Sequence, residues 1–188
     1  MNKISFNPHR LTIRAVVMSL CLAAASGFPA FGADDGGGGG GSSDPIECRE
    51  GMVYDEKQKI CVWPDQLDDA ALTTQGRALA LAGHYDNALD ALMAVRDRND
   101  STVLTYIGFA TRKLGRVEEG IDWYHQALAI DPNNLYTREY LGEGYVAAGW
   151  TDLALDQLAE IEMICGTSCE QYEDLEAAIA GEPVHSYQ

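Results

Sequence analysis

Basic residues are scarce in this chain. Thirteen Lys and Arg stand against 29 Asp and Glu over 188 residues, a net charge of −16. That balance excludes the basic patches that nucleic acid and anionic membrane surfaces attract. Histidine is scarcer still, four in all. His84, His125 and His185, the three beyond the first 32 residues, have no metal-ligand spacing. There is no Gly-x-Ser-x-Gly, no His-Glu-x-x-His and no phosphate loop. The six glycines at 36–41 are no phosphate loop either, because no strand precedes them and no Lys-Ser/Thr follows. No carboxylate pair is marked out for acid–base work. The sequence therefore leads us to expect no catalytic residue, cofactor or metal.

Long apolar runs are also missing. The one conspicuous run, 15–25, follows Lys3, Arg10 and Arg14 and leads into small residues, Ala30, Gly32 and Ala33. This is the pattern of a secretory signal peptide over 1–32, cut after Gly32, and the run is too short for an easy membrane span. Removing it takes away three basic residues and Cys21, leaving 10 basic against 29 acidic, or −19, and four cysteines. Cys21 follows Leu20, so lipidation is not expected. An even cysteine count in an exported chain implies disulfides. No transmembrane segment is expected after cleavage.

A Gly-rich stretch, 33–45, reads as a flexible linker. In 46–66 two short apolar runs, 52–54 and 60–63, flank a charged turn. They predict a hairpin closed by Cys48–Cys61, packed on or near the helical part of the chain. Closing a 14-residue loop is worth about 3 kcal/mol in the chain-entropy model.

From residue 69 apolar residues recur at helical spacing, and one pattern occurs three times. Gly83, Gly115 and Gly149 each start a second helix marked by Tyr85, Ala88 and Leu92, by Gly120 and Tyr124, and by Ala154 and Leu158. Gly76, Gly108 and Gly142 lie seven residues before each turn glycine. A residue without a side chain there lets the two helices approach, with Ala88, Gly120 and Ala154 as the facing small positions. Pro132 follows the second unit. The units run 69–100, 101–134 and 135–165. The third has Arg138 at a leading apolar position. Beyond it, Gly166 suits a positive-φ helix end, Ser168 and Gln171 have capping-box spacing, and Tyr172, Leu175, Ala178 and Ile179 form a stripe. These predict a closing helix within 168–181, fastened by Cys165–Cys169, and a short tail at 182–188. Three residues separate that cysteine pair, which does not match a two-residue redox spacing.

These residues resemble the tetratricopeptide repeat family. The second unit is the nearest match, with Ile107-Gly108, Gly115, Tyr124 and Pro132 in place. The tail is similar to that of exported bacterial members with a Cys-Gly-x-x-Cys ending. The resemblance implies an all-α fold: three helix pairs in a right-handed superhelix plus a capping helix. It further implies a concave groove lined by the first helices. Its register places Arg77, then Thr105, Phe109, Arg112 and Lys113, then Tyr136, Glu139 and Glu143 on that face. Arg77, Arg112 and Lys113 would form a basic wall in a very acidic chain, with Phe109 as an apolar anchor. The alternative is that Arg112 and Lys113 only complement the end of their helix.

The function expected is that of an exported, most simply periplasmic, scaffold or adaptor. It would bind a protein or peptide, carboxylate-bearing in the sharper form of the idea, by surface complementarity. The alternatives are a non-catalytic subunit of an envelope enzyme complex, or cell-wall glycan binding through the Cys48–Cys61 hairpin.

Overall fold

A computed structural model describes residues 45–183. The expected leader, nearly all of the linker and the last five residues lie outside the described residues. The order is β1 (Val53–Asp55), β2 (Ile60–Val62), a 3-10 turn (Pro64–Gln66), then seven helices. These are α1 (Asp69–Leu81), α2 (Tyr85–Met93), α3 (Ser101–Lys113), α4 (Val117–Ile130), α5 (Leu135–Ala148), α6 (Thr151–Cys165) and α7 (Glu170–Ala180). The protein is mostly helical. None of the described helices is long and apolar enough to cross a membrane.

The hairpin pairs Val53 with Val62 and Asp55 with Ile60, and Cys48–Cys61 closes it. Asp55 organises the turn by accepting bonds from the Lys57 amide (2.8 Å) and the Gln58 side chain (2.6 Å). Burial pushes its carboxyl up, but these hydrogen bonds outweigh burial and hold it below the usual range. A three-residue ladder cannot hold itself together in water. The disulfide helps, and so does docking: Val53 and Val62 join the helical core. The Gly51 amide donates to Asp90 (2.7 Å), and Asn87 Nδ2 donates to the Cys48 carbonyl (2.9 Å). The two disulfides point to an oxidising compartment.

Consecutive helices pack in pairs, α1 on α2, α3 on α4 and α5 on α6, and each pair packs on the next. The first helices also touch one another, α1 with α3 and α3 with α5, and α7 continues the series against α5. Each pair turns at a glycine in the positive-φ region: Gly83 (+89°), Gly115 (+87°) and Gly149 (+78°). The next amide then reaches back five residues to close the first helix. His84 donates to Leu79 (2.9 Å), Arg116 to Thr111 (3.2 Å) and Trp150 to Tyr145 (2.8 Å). Each first helix opens on a side-chain cap from Asp68, Asp100 or Asn134. The caps are 32 and 34 residues apart, the same spacings as the turn glycines. This repeated signal lies in plain view in the sequence, and the glycine pattern alone does not use it.

The close approaches inside the pairs are of two kinds. A Cβ on Gly76 would sit 2.4 Å from Leu92 Cγ, and one on Gly108 would sit 2.8 Å from the Tyr124 ring and 3.0 Å from the Gly120 carbonyl. The third pair departs from this. The nearest atoms to a Cβ on Gly142 all belong to Leu175 of α7, the closest at 2.5 Å. Leu158, the position equivalent to Leu92 and Tyr124, is only half-buried. Ala154 is buried, but the slot at Gly142 is filled from α7. Arg138, which breaks the apolar pattern, is used at the surface, where it donates to the Pro132 carbonyl (2.9 Å) and Gln157 (3.0 Å) and pairs with Glu160 (3.2 Å).

Two details at the last corner correct the sequence reading. The cap of α7 is Cys169, one residue after Ser168, and no side chain caps it. Gly166 has φ +82° with ψ −177°, a glycine conformation outside the left-handed helical cap. The Cys165–Cys169 bridge holds this corner instead.

Gly108 is an unforgiving packing position, because Tyr124 is fully buried and a backbone carbonyl lies beside it. Gly108→Ala should gain about 1 kcal/mol of helix propensity and lose more to overpacking, typically about 1–3 kcal/mol. We expect a net loss of roughly 1 kcal/mol in urea denaturation. A stabilised variant would show that α3 and α4 can separate without cost.

Candidate groove on the first helices

Helices α1, α3, α5 and α7 lie next to one another in that order and share one face. Arg77 on α1 is exposed, and its Nε donates to Tyr106 Oη (2.8 Å) while its guanidinium lies 5.6 Å from that ring. No carboxylate pairs with it among the described residues. The bond to Tyr106 raises its pKa further, so it stays charged. Tyr136, at the start of α5, is 48% exposed, with its ring 6.3 Å from that of Tyr140. Arg77, Thr102, Thr105, Tyr106, Asn134 and Tyr136 enclose a cleft of about 200 Å³. Thr105 is buried in its wall, where its hydroxyl meets Thr137 (2.6 Å) and the Ser101 carbonyl (2.7 Å). Asn134 caps α5 through Oδ1 and donates from Nδ2 to Ser101 (3.2 Å).

The remaining expected groove residues are placed differently. Phe109 is 1% exposed and lies among the rings of Tyr85 and Tyr140, with the Arg112 guanidinium and the Lys113 ammonium over its own ring. It is a core residue rather than a presented anchor. Arg112 is 9% exposed, forms a short ion pair with Glu143 (7% exposed) and donates to Tyr124 Oη. Its stem passes between two glycines. A Cβ on Gly120 would lie 2.8 Å from Arg112 Cβ, and one on Gly144 would lie 3.5 Å from its Cδ. Lys113 is exposed over the Phe109 ring (5.3 Å), and desolvation and then the Arg112 charge push its ammonium below the usual range. The expected basic wall thus divides into an exposed Arg77, an exposed Lys113 and a buried, paired Arg112.

The opposite end of the face is acidic. Glu139 on α5 is 2% exposed beside Glu143, with Asp174 and Glu170 contributed by α7. Burial, then the charges of Glu143, Asp174 and Glu170, push the Glu139 carboxyl up to about 9, and the Arg112 charge opposes them. The sequence does carry a trace of this cluster. Glu139 and Glu143 are four residues apart on one helix, as are Glu170 and Asp174, and like charges at that spacing repel. That α7 would face α5 is a tertiary fact which the spacing does not contain.

A larger cleft of about 550 Å³ lies between the hairpin and α1, bordered by Asp55, Glu56, Asp68 and Gln75. Its acids are engaged within the fold: Asp55 in the turn, Glu56 with Lys59 and Gln75, and Asp68 as the α1 cap. Among the described residues no group of His, Cys, Asp and Glu could hold a metal ion.

No protein-family model matches the chain, and no curated protein matches it either.

Proposed function

We propose that this protein is an exported, periplasmic tetratricopeptide-type scaffold that binds an extended or helical segment of a partner along the face of α1, α3 and α5. The observation that carries this reading is the cleft at Arg77. An exposed cation with no carboxylate partner among the described residues, in a chain with 29 acidic residues, stands beside a half-exposed tyrosine at the meeting point of three successive first helices. An Arg guanidinium accepts a carboxylate in a bidentate fork, and an adjoining aromatic ring supplies area at low entropic cost. Such a site works by complementarity and breaks no bonds. Charge matching there sets orientation and encounter rate more than affinity. The repeated helix pairs, the left-handed turn glycines and the regular N-caps support the family resemblance, and the disulfides support export.

The test is capture of partners from an envelope fraction, identified by mass spectrometry. Arg77→Glu with Tyr136→Ala should weaken capture by at least about tenfold, roughly 1.4 kcal/mol. Undiminished capture would sink the assignment. Trp63, 48% exposed on the hairpin side, serves the glycan alternative. Trp63→Ala should leave capture intact, and a loss of cell-wall binding in that variant would move the function to the hairpin. A point change is needed because deleting the hairpin would strip Val53 and Val62 from the core.

A further inference from the structure

The first helix pair breaks the repeat at one buried position. The residue before the packing glycine is Ile107 in the second unit and Leu141 in the third, each 1% exposed in the core. In the first unit it is Gln75, 6% exposed. Its Nε2 donates to Glu56 on the hairpin turn (3.2 Å), but its Oε1 is buried and meets no donor among the described residues. Turning the amide over would set its oxygen against the Glu56 carboxylate, so the unpartnered end is the acceptor. A buried acceptor left without a donor costs stability, and an apolar side chain here would not. Gln75 borders the cleft of about 550 Å³ between the hairpin and α1, so a donor can enter from there. That volume falls within the range of about 300–1,000 Å³ typical of small-molecule sites.

The rest of the lining says what kind of donor fits. Tyr54, Leu67, Ala70 and Ala71 give it apolar surface. Thr74 donates its hydroxyl proton to the Ala70 carbonyl (2.8 Å), so towards a ligand it offers an acceptor oxygen. Gln66 is exposed at the rim, and no hydrogen bond engages its side chain among the described residues. Asp55, Glu56 and Asp68 already hold donors from the fold, and Lys59 and Lys57 stand beside the last two. The acids therefore do not call for a cation, and together they repel an anion. A neutral ligand rich in hydroxyls meets these terms: each hydroxyl donates and accepts, as a carboxamide does, and the C–H face of a sugar ring lies on apolar side chains. We propose that the cleft binds a neutral saccharide of one or two rings, with one hydroxyl donating to Gln75 Oε1. Neither Arg77 nor Trp63 borders this cleft, so the site is separate from the groove and from the exposed tryptophan.

The experiment uses the mature chain with both disulfides formed, isotope-labelled on nitrogen for NMR. The probes are glucose, N-acetylglucosamine, cellobiose and maltose, with spermidine and tetra-alanine as the cationic and peptide controls. Each is titrated to about 20 mM, enough to detect a Kd near 1 mM. We expect at least one sugar to shift the side-chain amide signals of Gln75 and the backbone signals of Ala70 and Ala71, saturably, with neither control doing so. Gln75→Leu installs the residue of the third unit. It should raise the urea midpoint and weaken sugar binding at least about tenfold. Gln66→Ala, at an exposed position, should leave the midpoint unchanged and weaken binding about threefold. No shift with any of the four sugars overturns the inference, as does full binding by Gln75→Leu. If Gln75→Leu fails to fold, Gln66→Ala decides, and unchanged binding in it overturns the inference. A response to spermidine or tetra-alanine in place of the sugars overturns it too, and gives the cleft to a cation or a peptide. The groove reading is tested by capture through Arg77 and Tyr136, which this cleft does not use, so either reading can fail alone.

Discussion

Arg112→Ala should destabilise the protein by about 3–5 kcal/mol, the usual cost of stranding one partner of a buried ion pair. The side chains of Arg112 and Glu143 are 8% and 7% exposed, and truncation would take the guanidinium from Glu143 while Glu139 stays beside it. It would also empty the channel between Gly120 and Gly144, so packing is lost together with charge. The double replacement Arg112→Met with Glu143→Leu should recover most of the loss, because matched apolar groups leave nothing unpaired. The measurement is the urea midpoint at unchanged slope. A loss under about 1 kcal/mol for Arg112→Ala would mean that the pair is solvated. This result matters for function as well. Arg112→Glu, the change a simple basic-wall reading recommends, would abolish binding by damaging the fold, so the groove is better tested at Arg77.

The second large effect concerns pH. Glu139 has a folded pKa near 9 against about 4.5 for an unperturbed glutamate. A group raised on folding contributes stability that is fully present below the unfolded value and is lost as pH climbs through the folded one. Stability should therefore fall from pH 5 towards pH 9 because of this residue, by roughly 3 kcal/mol at pH 7. Glu139→Gln removes the dependence. Wild type and variant should be nearly equally stable at pH 4, and the variant should be the more stable at pH 8. The surface carboxylates held low act in the opposite sense, losing their contribution as pH falls. They include Asp69, lowered first by the Asp97 amide and then by Arg96, and Glu56, lowered first by Lys59. They are common to both proteins and cancel in the difference. Parallel stability–pH curves would show that Glu139 is ionised in the folded state.

What was legible in the sequence is what repeats locally. Gly83, Gly115 and Gly149 announce turns because positive φ has a residue preference, and Cys48 and Cys61 announce a staple because their segment is too small to fold otherwise. Asp68, Asp100 and Asn134 were equally legible, since capping is decided within four residues of chain. The site was legible only in part. Register alone places Arg77, Thr105 and Tyr136 near one another, and the structure brings them around one cleft. Register says nothing of whether Arg112 meets solvent or Glu143, 31 residues away, because that depends on how far α3 and α5 rotate towards each other. Nor does it show that Phe109 belongs to the core. The same reason hides the pairing of Gly142 with Leu175, which needs α7 folded back before it exists.

That last contact has a consequence for how the chain breathes. In the first two pairs the residue seated against the glycine comes from within the pair, so each pair can close on its own. In the third it comes from α7, and α7 also packs on α6. The last three helices therefore open and close as one cooperative unit, while the earlier pairs keep a separate integrity. Amides of α5 and α7 would share a single opening free energy, and the cluster of buried acids between them would be made and unmade in the same event.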